Sequence, residues 1–104
     1  MRVMISQPMK GKTVEEIETE RRSLVKRIEA AGHEYVNSIV DSPSNARNSA
    51  LWCLGASLQI LSYCDACVFM HGWDAARGCR IEHAAAIAYG LEVWMEDAVP
   101  EAKQ

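Results

Sequence analysis

The segment HGWDAARGCRIEH, residues 71–83, places Asp74, Arg77, Arg80, Glu82 and His83 within ten residues around the expected start of a helix. A helix N-terminus is electropositive, so Arg77 and Arg80 there oppose the macrodipole unless an anion sits nearby, and a phosphate is the anion such a pair suits. Glu82 lies about one turn in. The turns that follow carry Ala84, Ala85, Ala86 and Ala88, small enough for close packing against a sheet, so a carboxylate at position 82 is expected to be partly desolvated. A purely structural account stands beside this one: Asp74 as a helix N-cap, and Glu82 with the arginines as solvated pairs.

A second stretch, ISQPMKGKTVEE at residues 5–16, ends an apolar run, turns through Pro8 and Gly11 and enters a charged segment. Gly11-Lys12-Thr13 matches the tail of the phosphate-cradling pattern G-x-x-x-x-G-K-[ST], but its leading glycine falls on Ser6. Pro8 also removes an N–H donor that such a cradle needs, and no strand-end aspartate offers to hold Mg²⁺. Thr13 is better read as a helix cap and Gly11 as a turn residue. Ser6, Gln7 and the loop amides can still line a nucleotide site.

Cys53, Cys64, Cys67 and Cys79 include a C-x-x-C pair. No second pair has metal-ligand spacing, and the pair runs into the apolar stretch 66–70 instead of opening a helix, so buried reduced thiols are expected. Neither a metal nor a cofactor is expected. His33 precedes a strand, whereas His71 and His83 flank the 71–83 loop, where His71 has a minor chance of assisting a departing base and Trp73 is expected to pack the loop.

These residues need a frame. The chain has 104 residues, 49% hydrophobic and 24% charged, with a formal charge of −3. That suits one domain, residues 1–104, and gives no basic face for nucleic acid. No apolar run approaches the roughly 18 residues of a membrane helix, and no leader pattern opens the chain, so a cytoplasmic location is the expectation. Arg2 to Ser6 reads as a strand. Thr13 opens a helix with Glu16 three residues later, and Ile17, Leu24, Ile28 and Ala31 recur at helical spacing until Gly32. A strand is expected at about Glu34 to Val40, a loop at Asp41 to Asn45, and a largely apolar helix at about Asn48 to Tyr63. An apolar strand Ala66 to Met70, a helix Arg77 to Tyr89 capped by Gly90 and a strand Leu91 to Met95 complete the order βαβαβαβ, with Pro100 to Gln104 expected to fray. Alternating strands and helices predict a small doubly wound α/β sandwich of three layers, Rossmann-like or flavodoxin-like, with parallel strand order 2-1-3-4. In such a sheet ligands bind beyond the carboxyl ends of the strands where the order reverses, which selects the loops after the first and third strands.

The combination of the I-S-Q-P-M-x-G-K loop with D-A-C-V-F-x-x-G-W-D-x-A-R-G-C-x-I-E-H resembles the small phage and bacterial proteins related to nucleoside 2-deoxyribosyltransferases, over nearly the whole chain. Related enzymes include deoxynucleoside 5′-monophosphate N-glycosidases. The resemblance implies that Glu82 is the catalytic glutamate, attacking the anomeric carbon, and that Asp74 is the loop carboxylate. Apart from the resemblance, the two loops that the topological rule selects, with the arginines at the helix start, make Ser6, Gln7, Pro8, Met9, Gly11, Gly72, Trp73, Arg77, Gly78 and Arg80 the expected ligand contacts. Such chemistry follows the retaining glycosidases, in which a carboxylate captures an oxocarbenium-like centre. The chain departs from the transferases at Ser57, where they carry a sugar-binding aspartate, and at Ser6 and Gln7, where an aromatic residue is common.

Two functions stay open on these grounds. One is an N-glycosidase or deoxyribosyltransferase acting on a small-molecule nucleotide; the other is a non-catalytic binder of a nucleotide-derived ligand in a regulatory or phage–host role. A homodimer or higher homo-oligomer is expected, because the second helix carries more apolar surface than one sheet face covers.

Overall fold

The structure, a computed structural model, describes residues 1–103, and Gln104 lies outside them. The elements are β1 (Arg2–Ser6), α1 (Val14–Ala30), β2 (Glu34–Tyr35), α2 (Ser49–Leu61), β3 (Ala66–Phe69), α3 (Arg77–Ala88) and β4 (Glu92–Met95), with a short 3-10 turn at Trp73–Ala75. The four strands are all parallel, in the order β2-β1-β3-β4. Chain order reverses beside β1, so the carboxyl ends of β1 and β3 stand together. Ser6 lies opposite Phe69, and Phe69 opposite Met95.

The apolar runs of β1 and β3 follow from this placement, since both are inner strands covered on two faces. Val3, Ile5 and Val68 pack on one face with Leu24 and Ile28 of α1 and with Trp94. Met4, Cys67 and Phe69 pack on the other with Leu61 of α2 and, less buried, Ala85 of α3. Truncating a fully buried aliphatic such as Leu24 in this interior costs about 2–5 kcal/mol. The first helix begins where its cap allows: Thr13 Oγ1 accepts from the Glu16 amide at 3.1 Å, and Glu16 Oε1 accepts from the Thr13 amide at 3.2 Å. This reciprocal pair satisfies two donors that a bare helix start would leave unpaired.

Two expectations are corrected. The second strand is two residues long, not seven. Val36 N still donates to the Val3 carbonyl, but Asn37 Oδ1 then accepts from the Ile39 amide at 3.0 Å, and Ser38 Oγ donates to the Ile5 carbonyl. Short polar side chains thus replace ladder bonds and turn the chain away from the sheet. The C-terminal tail, as far as it is described, is tied down. Ala102 N donates to the Ala31 carbonyl at 2.8 Å, and the His33 ring bonds the Pro100 carbonyl at 2.7 Å. His33 is therefore a buried tether, placed against Trp94 at 5.0 Å between ring centres.

Candidate functional site

The apolar run of β1 ends in two polar residues, Ser6 and Gln7, which are 1% and 4% exposed. They face opposite layers. Ser6 Oγ donates to Glu82 Oε1 of α3 at 2.7 Å, a buried, charge-assisted hydrogen bond between residues 76 apart in sequence. Gln7 turns to α1, where its Oε1 accepts from Arg21 Nε at 2.8 Å and its Nε2 donates to the Ile17 carbonyl and to Glu20 Oε2.

Glu82 is 8% exposed. Burial pushes its carboxyl above the ordinary carboxylate value of 4.5, opposed by hydrogen bonding from Ser6 and Ser57 and by the charge of Arg21. Ser57 of α2 borders the carboxyl, yet its hydroxyl has one proton and donates it to the Leu54 carbonyl at 2.9 Å. Ser6 is accordingly the donor that orients Glu82, with Ser57 as an alternative if its hydroxyl rotates. Cys79, one turn earlier on α3, and Cys67 of β3 lie close enough for the Glu82 charge to act on them. Both thiols are pushed up, first by burial and further by that charge, which makes them poor nucleophiles. The four cysteines are free thiols, with Cys53 half-buried and the other three buried.

The 71–76 loop approaches the first loop. At Gly72 (φ +87°) an added Cβ would meet Pro8 Cγ at 3.6 Å, so the backbone conformation, not crowding, favours glycine there. Trp73 is half-buried, stacked on His83 at 4.3 Å with an 18° tilt and set against Phe69 at 5.4 Å. Both rings pack against Phe69. The N-cap of α3 is Ala76, which offers no side-chain cap, so Asp74 is not an N-cap; it is exposed and makes no hydrogen bond with another described residue. Arg77 and Arg80 are exposed at the helix start, and Gly78 is half-buried between them. Met9 is exposed and Pro8 half-buried. Gly11 adopts φ +78° in the turn closed by Lys12 N to the Met9 carbonyl, and Lys12 Nζ is engaged by Glu20 at 2.8 Å. That lysine is spent on holding a loop. His71 Nε2 lies 2.9 Å from Asp97 Oδ2, and its amide donates to Glu96, which ties the loop after β3 to the end of β4.

Ser6 and Glu82 are therefore brought into direct contact at the end of the central strand, with Ser57 beside them. Asp74, Arg77 and Arg80 remain at the surface nearby in sequence. Open grooves lie elsewhere: one of about 370 Å³ over α1 and β2, lined by Arg21, Arg22, Lys26 and Tyr35 among others, and one of about 290 Å³ beside the first turns of α1. Neither of these two includes Glu82. The site is marked by its buried, oriented carboxylate. Arg21 and Tyr35, whose side chains meet at 3.0 Å, were missed by sequence reading. Spacing held a signal for the first, because 17, 21, 24 and 28 fall on one helix face and the other three positions are Ile, Leu and Ile.

Fold and site together define a Rossmann-like α/β domain with a buried glutamate at the carboxyl edge of its parallel sheet. Residues 1–95 match the family described as a domain of unknown function, DUF4406, and the chain belongs to that family. No curated protein and no solved structure matches it.

Proposed function

We propose that this domain binds a (deoxy)nucleoside monophosphate and cleaves its N-glycosidic bond with Glu82 as nucleophile. The observation that carries the reading is the 2.7 Å hydrogen bond from Ser6 to a Glu82 carboxyl that is almost wholly buried. A carboxylate stripped of water and held in one orientation is poised to stabilise positive charge at a sugar carbon. In the step proposed, a Glu82 oxygen forms a bond to the anomeric carbon as the bond from that carbon to the base nitrogen breaks. The electron pair leaves with the base, which takes a proton from Asp74 or from water. Water, or a second base in a transferase, then displaces Glu82 and restores the carboxylate. Arg77 and Arg80 supply the charge for the phosphate at the exposed start of α3.

Glu82 is only 8% exposed, so a substrate reaches it only if its surroundings open. That burial, with Ser57 at the position of the transferases' sugar-binding aspartate, favours a second reading: a domain that holds a nucleotide-derived ligand without turning it over. A homodimer fits either reading, with Leu51 (62% exposed) and Trp52 (42% exposed) of α2 as the apolar surface it would cover. A cytoplasmic location is part of the same proposal; no described helix is long and apolar enough to cross a membrane. The deciding experiment is a screen of nucleoside monophosphates, scored for binding by thermal shift and for base release by chromatography, in wild type and Glu82→Gln. Base release that vanishes in Glu82→Gln supports the enzyme. Ligand binding with no base released by wild type replaces it with the binder.

A further inference from the structure

Arg21 sits on the buried stripe of α1 and is 2% exposed. Arginine keeps its charge at any pH at which a protein folds, so this domain buries a full positive charge. Its hydrogen-bond partners are neutral: Gln7 Oε1 at 2.8 Å from Nε, and Tyr35 Oη at 3.0 Å from Nη1. Nη2 has no partner, and among the described residues no carboxylate forms an ion pair with this guanidinium. An isolated buried cation is costly, and the cost is reduced by an anion sharing the same poorly solvated interior.

Charge also fixes the contacts around it. The Gln7 amide presents its oxygen to the cation and its nitrogen to Glu20 and to the Ile17 carbonyl, so this side chain has one favourable orientation. Glu20 lies at the surface and is engaged by Lys12 as well as Gln7, which together hold its carboxyl below the ordinary value. The buried carboxylate is Glu82. Gln7 directly follows Ser6, and Ser6 donates to Glu82, so the cation and the anion contact consecutive residues at the end of β1 from opposite faces of the sheet.

We infer that Arg21 is a positioning residue for the candidate site, a buried counter-charge set across the end of β1 from Glu82, with Gln7 holding the guanidinium in place. Ser6 of β1 and Ser57 of α2 border the Glu82 carboxyl, and the thiols of Cys67 on β3 and Cys79 on α3 lie within reach of its charge; none of these four is cationic. Arg77 and Arg80, on the same helix as Glu82, are exposed to solvent, where screening weakens their reach. The groups facing Arg21 are Gln7 and Tyr35, with Glu20 behind Gln7. Glu18, Arg22, Lys26 and Glu29 line the groove beside it and cancel in sign. Desolvation raises Glu82, and the Arg21 charge pulls in the opposite direction.

This deepens the functional reading of Glu82, but its test needs no turnover. The carboxyl carbons of the ¹³C-labelled protein are titrated by NMR, with Glu82 assigned by the signal missing from Glu82→Gln. Arg21→Gln, which loses the charge but can still hydrogen-bond, should raise the Glu82 midpoint by a few tenths to about one pH unit, the scale of one charge removed from a partly buried pair. Arg21→Lys, which keeps the charge, should stay within about 0.3 pH unit of wild type on the same scale. Arg21→Met, a neutral chain of similar length with no buried amide to satisfy, decides the matter if Arg21→Gln does not fold. Its Glu82 midpoint should rise by a similar amount. A midpoint that does not rise in the neutral variant, or that responds equally to Arg21→Lys, overturns the inference. If wild type releases no base but these midpoints shift as stated, the glycosidase reading fails and the charge pair stands; base release with unresponsive midpoints gives the reverse.

Discussion

The two faces of the sheet meet the end of β1 differently. On the α3 side, a serine hydroxyl presents a single hydrogen bond to a buried anion; on the α1 side, a glutamine and a tyrosine hold a buried cation, and the glutamine is itself bonded to a backbone carbonyl and a surface carboxylate. The α1 side is braced at several points and tied to the loop through Lys12 and Glu20. The α3 side keeps a carboxylate with spare acceptor capacity.

The sharpest way to break this comparison is to neutralise each side. Glu82→Gln should lower base release at least about 10³-fold, about 4 kcal/mol in the barrier, while ligand binding changes little, because the charge is needed mainly as the sugar carbon becomes positive. Single-turnover assays beside binding isotherms check it. A parallel fall in affinity and rate would mean that Glu82 only holds the ligand. Arg21→Ala should act the other way, lowering unfolding free energy by about 1–3 kcal/mol, since the Gln7 oxygen and the Tyr35 hydroxyl lose a buried partner. Urea denaturation measures this, and an unchanged midpoint would remove the bracing role.

The stability of Glu82→Gln sharpens the contrast through pH. The carboxyl of Glu82 is raised in the folded state, so between the ordinary value of 4.5 and its own higher value the folded chain holds a proton that the unfolded chain has lost. Unfolding then releases a proton, and the wild-type stability falls as pH rises through that window. Glu82→Gln lacks this loss. Its melting temperature relative to wild type should therefore be higher at pH 7 than at pH 4, read by thermal unfolding at both. The opposite trend would show a carboxylate better stabilised when folded than when unfolded.

The smallest effects belong to the exposed loop. Arg77→Ala and Asp74→Asn should each change stability by less than about 0.5 kcal/mol, as surface substitutions do. Arg77→Ala should still weaken binding of a phosphorylated nucleoside several-fold and leave the unphosphorylated nucleoside unaffected, the expectation for one exposed charge contact worth up to about 1 kcal/mol. Equal weakening of both ligands would detach Arg77 from the phosphate.

Much of this arrangement was legible in the residues alone. The order of elements, the parallel sheet 2-1-3-4 and the Thr13 cap follow from signals that act over a few residues: alternation of apolar runs with helical spacing, a threonine three residues before a glutamate, and glycines where φ must be positive. The topology of an alternating chain also brings the loops after β1 and β3, with Ser6 and Glu82 close by, to one end of the sheet. Sequence reading misjudged β2, where Asn37 and Ser38 satisfy backbone groups that a longer strand would have paired, and the tail, which is bonded at Ala102 to the turn after α1. Only tertiary structure decided that Ser6 donates to Glu82 across 76 residues, that Gln7 turns to the opposite layer, and that Arg21 lies buried with its Nη2 unpartnered. Local patterns set backbone conformation, whereas these contacts depend on which face of β1 each side chain takes and on which helix covers that face. A sequence fixes such partners only through the whole packed fold.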